Sequence, residues 1–108
     1  MSSKIMYKRI GLVQRKKTLT REQFLAHWLT THAELCKKLP NMRRYSVNLL
    51  EPGRFPNFPD DGFSELWFDS EQALQASLES PEGRTLLADL TNFVEKIDPL
   101  LVEEHQMM

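Results

Sequence analysis

The chain contains a single cysteine, Cys36, and only 4 glycines among its 108 residues. One cysteine excludes an internal disulfide and a cysteine-built zinc site, and it fits a reducing compartment. The glycines are too few and too scattered for a phosphate-cradling loop or a dinucleotide fingerprint. No apolar run reaches membrane-spanning length. The N-terminal MSSKIMYKRIGLVQRKK lacks the apolar block of a signal peptide, so a cytoplasmic location is expected.

What is present is ordinary for a globular domain: 41% apolar and 27% charged residues. The length suits a single domain spanning 1–108. The net charge of −1 hides an asymmetry, with 11 Lys/Arg against 2 Asp/Glu in residues 1–50, and 3 against 13 in residues 51–108. In one small domain such halves interleave and neutralise each other. The basic half carries no aromatic-studded motif, so nucleic acid is not an expected partner.

The pattern KIMYKRIGLVQ (4–14) predicts a strand. Thr20-Arg-Glu-Gln23 has the form of a capping box, and Phe24, Leu25, Trp28, Leu29, Leu35, Cys36 and Leu39 follow at helical spacing up to Pro40-Asn41. MRRYSVNLL (42–50) alternates as a second strand. The stretch 51–62, with three prolines and two glycines, reads as a long loop, either a lid or a plain connection. FSELWFD (63–69) is a third strand, with Phe63, Glu65 and Trp67 on one face and Leu66 and Phe68 on the other. A helix capped at Asp69 or Ser70 breaks and restarts at Ser80-Pro81-Glu82-Gly83. Its stripe runs Leu86, Leu87, Leu90, Phe93, Val94, Ile97, and LLVEEHQ after Pro99 reads as a short last strand. The order βαββαβ predicts an α+β, ferredoxin-like fold: a four-stranded antiparallel sheet with two helices on one face.

HWLTTH (27–32) places two histidines in the first helix. Helical ligands that share a metal stand at i and i+4 or i+3. At i and i+5, His27 and His32 diverge by roughly 140° on an α-helix, so no metal site is expected. With Phe24 at zero, His32 falls near about 80°, inside the apolar stripe, and His27 near about 300°, on its flank. A buried, neutral His32 is suited to act as a general base, and equally to be a core histidine satisfied by a carbonyl or hydroxyl.

Tyr45, on strand two, is the natural partner, able to polarise a substrate oxygen or simply to pack. Glu65 beside Trp67 would have a raised pKa if half-buried, or is a surface glutamate. Trp28, Glu65, Trp67, Asn48 and His27 are candidate substrate contacts. Arg9, Arg15 and Asn48 are possible anchors for an anion. Cys36 sits on the apolar stripe with no evident base and reads as packing. His105 is expected to be exposed.

Taken together, KRIGLVQRK, LTREQFLAHWLTTHAELCKKLPNMRRYSVN, DGFSELWFDS and SPEGRTLLADLTNFV resemble the EthD family of the dimeric α/β-barrel superfamily. The resemblance implies a homodimer joined through the open sheet faces, and a pocket between sheet and helices in each subunit. Relatives include cofactor-free lactone isomerases, polyketide cyclases and decarboxylases, and quinone-forming monooxygenases. In the similar methylmuconolactone isomerases, a first-helix histidine and a second-strand tyrosine act on the substrate, and those positions match His32 and Tyr45. The resemblance brings no cofactor. It implies a cofactor-independent enzyme acting on a small aromatic, lactone or polyketide-like compound. The rival expectations are a non-catalytic binding or accessory protein for an oxygenase, and an oxygen-consuming monooxygenase.

Overall fold

The strand pattern at the N-terminus becomes β1 (Ile5–Arg15) in a computed structural model that describes residues 4–108. Residues 1–3, the start of the expected domain, lie outside the described residues. The first helix, α1, opens at Arg21 behind the expected capping box: the Thr20 hydroxyl accepts from the Gln23 backbone N–H while the Gln23 side chain accepts from Thr20 N–H. Strand β2 is Arg44–Leu49 and β3 is Gly62–Phe68. Helix α2 (Glu71–Glu79) is capped by Ser70. Helix α3 (Pro81–Asp89) is capped by Ser80 with Pro81 in its first turn, and ends in a 3-10 turn, Leu90–Asn92. The last strand is β4 (Val94–His105).

The strands form one antiparallel sheet in the order β2-β3-β1-β4, the ferredoxin-like α+β arrangement. Two elements depart from the sequence reading. The second helical stripe stops at Asp89, and β4 begins at Val94 and runs through Asp98-Pro99. Residue 98 is pushed to extended backbone by the proline after it. Pro99 pairs opposite Gly11 in register, which is tolerated because β4 is an edge strand.

The other departure lies in α1. It is α-helical over Arg21–Ala26, π-helical over His27–His32, and α-helical again over Ala33–Cys36. The Ala33 N–H bonds to Trp28 O, five residues back. The Thr30 hydroxyl donates to Ala26 O, one turn back, a contact that competes with the regular ladder and bends helices. Leu29, expected on the buried stripe, is consequently rotated out and 48% exposed.

The helix halves on either side of this turn serve two separate cores. Phe24 and Trp28 pack with Val13 and Phe93, whereas Cys36 and Leu39 pack with Leu66, Phe68, Leu74 and Leu86. Gly62 on β3 has no room for a side chain, since a Cβ there would stand 2.3 Å from Asn48 O and 3.1 Å from the Trp28 ring.

The sheet register decides which residues face the helices. Tyr45, Leu66 and Arg9 stand across from one another on the helix side. Ser46, Glu65 and Ile10 form the adjacent row and therefore face the opposite side, as do Asn48 with Phe63 and Leu12. On that open face Lys8 Nζ lies 3.0 Å from Glu65 and 3.3 Å from Glu104, and sits 4.9 Å over the Trp67 ring. Trp67 Nε1 donates to Glu104.

Candidate functional site

The π-helical turn brings together what α-helical geometry would separate. Hydrogen bonds in a π-helix close i→i+5, so residues five apart stack on one side. His27 and His32 both meet Asp89, the last residue of α3. His27 Nε2 lies 3.0 and 2.9 Å from the two Asp89 oxygens, and His32 Nδ1 lies 2.8 Å from Oδ2. Asn92 Nδ2 donates to Oδ1 at 2.9 Å. The Phe93 ring stands against both imidazoles, at centroid distances of 4.8 Å and 4.7 Å. The expectation that the two histidines diverge around the helix is therefore corrected: they form one cluster around a shared carboxylate.

The electrostatics of that cluster are set by competition. Burial pushes the Asp89 carboxyl up, but hydrogen bonds from Asn92, His32 and His27 outweigh it, and the net pKa lies below the usual aspartate value. Asp89 is thus ionised and can only accept. Burial lowers the His32 pKa below the ordinary histidine value, and Asp89 offsets this only in part. A neutral His32 must then carry its proton on Nδ1, toward Asp89, and present Nε2 as a free acceptor.

His32 lines a small, partly open cavity of about 20 Å³ between α1, α3 and the sheet, with Arg9, Trp28, Cys36, Tyr45 and Ser64 among its walls. That volume holds roughly one water molecule. The Tyr45 hydroxyl is buried there with no hydrogen-bond partner of ordinary geometry. Burial, then the adjacent Cys36 thiol, raises its pKa, so it remains a phenol at neutral pH. Burial also pushes the Cys36 thiol up to about 12, which fits its reading as a packing residue and not a nucleophile. Arg9 reaches the same cavity from β1, and burial lowers its pKa; no carboxylate pairs with it among the described residues.

Of the residues singled out from sequence, the structure brings together His32, Tyr45 and Trp28 at the cavity, with His27 joined to them through Asp89. It does not bring Glu65, Trp67 or Asn48 there. Those three lie on the opposite face of the sheet, because alternation along β2 and β3 sends residues adjacent to Tyr45 and Leu66 the other way. Glu65 also has the opposite electrostatics to those expected. Burial raises its pKa, but hydrogen bonds from Lys8, Asn48 and Ser46 hold it below the normal glutamate value.

The loop 51–62 expected as lid or connector is pinned to the sheet by Asp61, which accepts from Arg15 N–H at 2.6 Å and donates its own N–H to Val13 O. The hollow it lines shares no residue with the His32 cavity. His105 is exposed. Among the described residues, no group of three or more His, Cys, Asp and Glu is disposed to hold a metal. No helix there is long and apolar enough to cross a membrane.

Asp89 is the member of this cluster that sequence reasoning missed. Its signal was its position: an acid three residues after Leu86 and one before Leu90, inside an apolar stripe, where a carboxylate needs buried donors.

Fold and site together define a class: a ferredoxin-like α+β domain with a histidine–tyrosine cavity beneath its helices. Within that class the chain belongs to the EthD family, whose domain model matches residues 16–97. A solved structure of an ethyl tert-butyl ether D (EthD) family protein from Bacillus halodurans is similar, with a TM-score of 0.81 and 24% identity over 92% of this chain and 98% of that one. A dimeric ferredoxin-like protein of unknown function from Bacteroides fragilis matches with a TM-score of 0.70 and 19% identity, over 92% and 96% of the two chains. The hydroxynitrile lyase from Passiflora edulis matches with a TM-score of 0.74 and 16% identity, over 95% and 96%. No curated protein matches the chain.

Proposed function

We propose that this protein is a small enzyme that moves a proton on a small aromatic, lactone or polyketide-like compound. His32 is the base, Tyr45 the hydrogen-bond donor to the reacting oxygen, and Asp89 the group that positions His32. The observation that carries this reading is the pairing of His32 Nδ1 with a buried, ionised Asp89, at 2.8 Å, on the wall of the cavity that also holds the unpartnered Tyr45 hydroxyl.

His32 Nε2 takes a proton from a carbon beside a carbonyl, or from a hydroxyl. The electron pair moves onto the substrate oxygen, which accepts a hydrogen bond from the Tyr45 phenol. The imidazolium formed is stabilised by Asp89 and returns its proton to a second position of the substrate. Atoms balance as an isomerisation or cyclisation, and no oxidant is consumed. The lyase from Passiflora edulis supports the reading only in that a protein of this fold is an enzyme on a small molecule.

The chain also works as a homodimer in this reading. Its open sheet face is apolar at Ile10, Leu12 and Phe63, which a second copy would cover, and the similar protein from Bacteroides fragilis is dimeric.

The test is turnover on substrates found by screening lactones, phenols and β-keto compounds. His32→Ala is expected to lower kcat by roughly 100-fold or more and Tyr45→Phe by a smaller factor. If both variants keep full turnover, the proposed chemistry is wrong. Oxygen uptake during turnover would assign a monooxygenase instead, and tight binding without product a carrier or accessory role.

A further inference from the structure

The cavity at His32 holds about 20 Å³, far less than an organic molecule needs, so its substrate must rest partly elsewhere. A much larger hollow of about 460 Å³ opens beside it, between α2 and β4, floored by Leu74, Leu78, Pro99 and Leu101. The two spaces share two wall residues, Arg9 and Leu87. Arg9 projects from the central strand β1 on the helix side and is half-buried, with no carboxylate paired to it among the described residues.

A guanidinium offers five donors in a planar fork that matches a carboxylate, and leaving it partly desolvated and unpaired is costly. Two other charges held partly or wholly out of solvent are paired. Lys8 has Glu65 and Glu104, and Asp89 has two histidines. What sets Arg9 apart is its position, with a largely apolar groove on one side and the acid–base pair on the other.

We infer that the groove and Arg9 form a binding site for an amphipathic organic monocarboxylate. Its carboxylate pairs with Arg9 at the partition, and its apolar body lies along Leu74, Leu78 and Leu101. Shifting the Arg9 and Leu87 side chains joins groove and cavity, so that the bound acid is delivered to His32. Glu71 and Glu79 also line the groove. These acids disfavour a second negative charge in the groove, which selects a monocarboxylate over a dicarboxylate. This inference deepens the proposed function by naming its substrate class, and it rests on that reading only for the delivery to His32.

Binding is tested on the full chain with octanoate, octanol and octylammonium, by calorimetry and by NMR shifts of backbone amides and the His32 ring. Octanoate is expected to bind at least tenfold more tightly than octanol, and to shift signals of Leu78, Leu101 and His32. Arg9→Met should reduce octanoate affinity at least tenfold, with Arg9→Lys retaining part of it. Leu101→Glu, at a position 51% exposed and so tolerant in folding, should give the same loss by placing a charge in the groove. Equal binding of octanoate and octanol, preference for octylammonium, no octanoate binding at millimolar concentration, or indifference to both Arg9→Met and Leu101→Glu would each overturn the site. The catalytic reading fails separately. Arg9-dependent octanoate binding combined with full turnover in His32→Ala would leave the anion site standing and remove the base.

Discussion

Replacing Asp89 by alanine withdraws the acceptor from three donors at once, and the consequences follow from the geometry. Asp89 is 7% exposed and His32 is 8% exposed, so the Nδ1–H of His32 loses its partner in a largely desolvated position. A buried donor left unsatisfied costs about 1–3 kcal/mol. His27, whose side chain is 25% exposed, rehydrates and adds less. Asn92 and the small void contribute the remainder, for a total of about 2–4 kcal/mol. For a domain of this size that lowers the thermal midpoint by roughly 10 °C or more.

The more diagnostic effect is on the imidazole itself. With the carboxylate gone, nothing holds the proton on Nδ1, so His32 shifts toward the Nε2–H tautomer. Its pKa falls further, since burial, His27 and Arg9 all act in that direction. Long-range proton–nitrogen spectra of the histidine rings report both changes without any substrate. Asp89→Asn, which keeps the shape and one oxygen acceptor, should lie between wild type and Asp89→Ala. If Asp89→Ala leaves the His32 tautomer, its titration and the thermal midpoint unchanged, Asp89 does not position the base and the mechanism loses its footing.

Stability should depend on pH through the same cluster. The folded-state pKa values of His32 and Asp89 both lie below their ordinary values, so the unfolded chain binds more protons and stability rises with pH. The His32 contribution is complete above about pH 6.5 and is lost as pH falls from there through its folded value, with a slope of at most about 1.4 kcal/mol per pH unit. The Asp89 contribution is lost in turn below about pH 4. Urea denaturation across this range should show both losses, and His32→Gln should abolish the first; an unchanged slope in that variant would refute the assignment. Gly62→Ala must displace the Asn48 carbonyl and press on the Trp28 ring, and is expected to cost about 3 kcal/mol in chemical denaturation. A cost below about 0.5 kcal/mol would show that β2 yields freely at Asn48 and refute the close packing there. Phe63→Lys, on the open sheet face, should turn a dimer into a monomer by light scattering at micromolar concentration with little loss of secondary structure. A wild-type monomer at that concentration would overturn the dimer.

The element order, the Thr20–Gln23 capping box and the Ser80-Pro81 restart were legible because each depends on residues adjacent in sequence. The π-helical turn was not. HWLTTH carries the same alternation of large and polar residues that an α-helix would, and the contact of both histidines with Asp89, more than fifty residues away, cannot be read from that stretch. Sheet-face assignment failed for a related reason. A period of two divides β3 into Glu65 with Trp67 and Leu66 with Phe68, but both sets are large, and which set the helices cover is decided by packing. His32 and Tyr45 were legible because an imidazole in the apolar stripe and a phenol on the adjoining strand point at the same interior whichever way the turn is wound. Val94 and Ile97 fit a helical stripe as well as a strand, and the edge position that admits Pro99 into β4 is a property of the whole sheet.

Two cores in place of one also determine where this small molecule yields. The π-helical turn is the seam between them, with Phe24, Trp28 and Phe93 locked on one side and Cys36, Leu66 and Phe68 on the other. The His32 cavity lies along that seam. Widening it asks the two halves to part slightly while each keeps its own packing, so admission of a guest is a local opening well short of global unfolding. In amide exchange, the backbone around Thr30 and Thr31 should therefore protect least within α1, and a molecule wedged in the cavity should slow exchange there first.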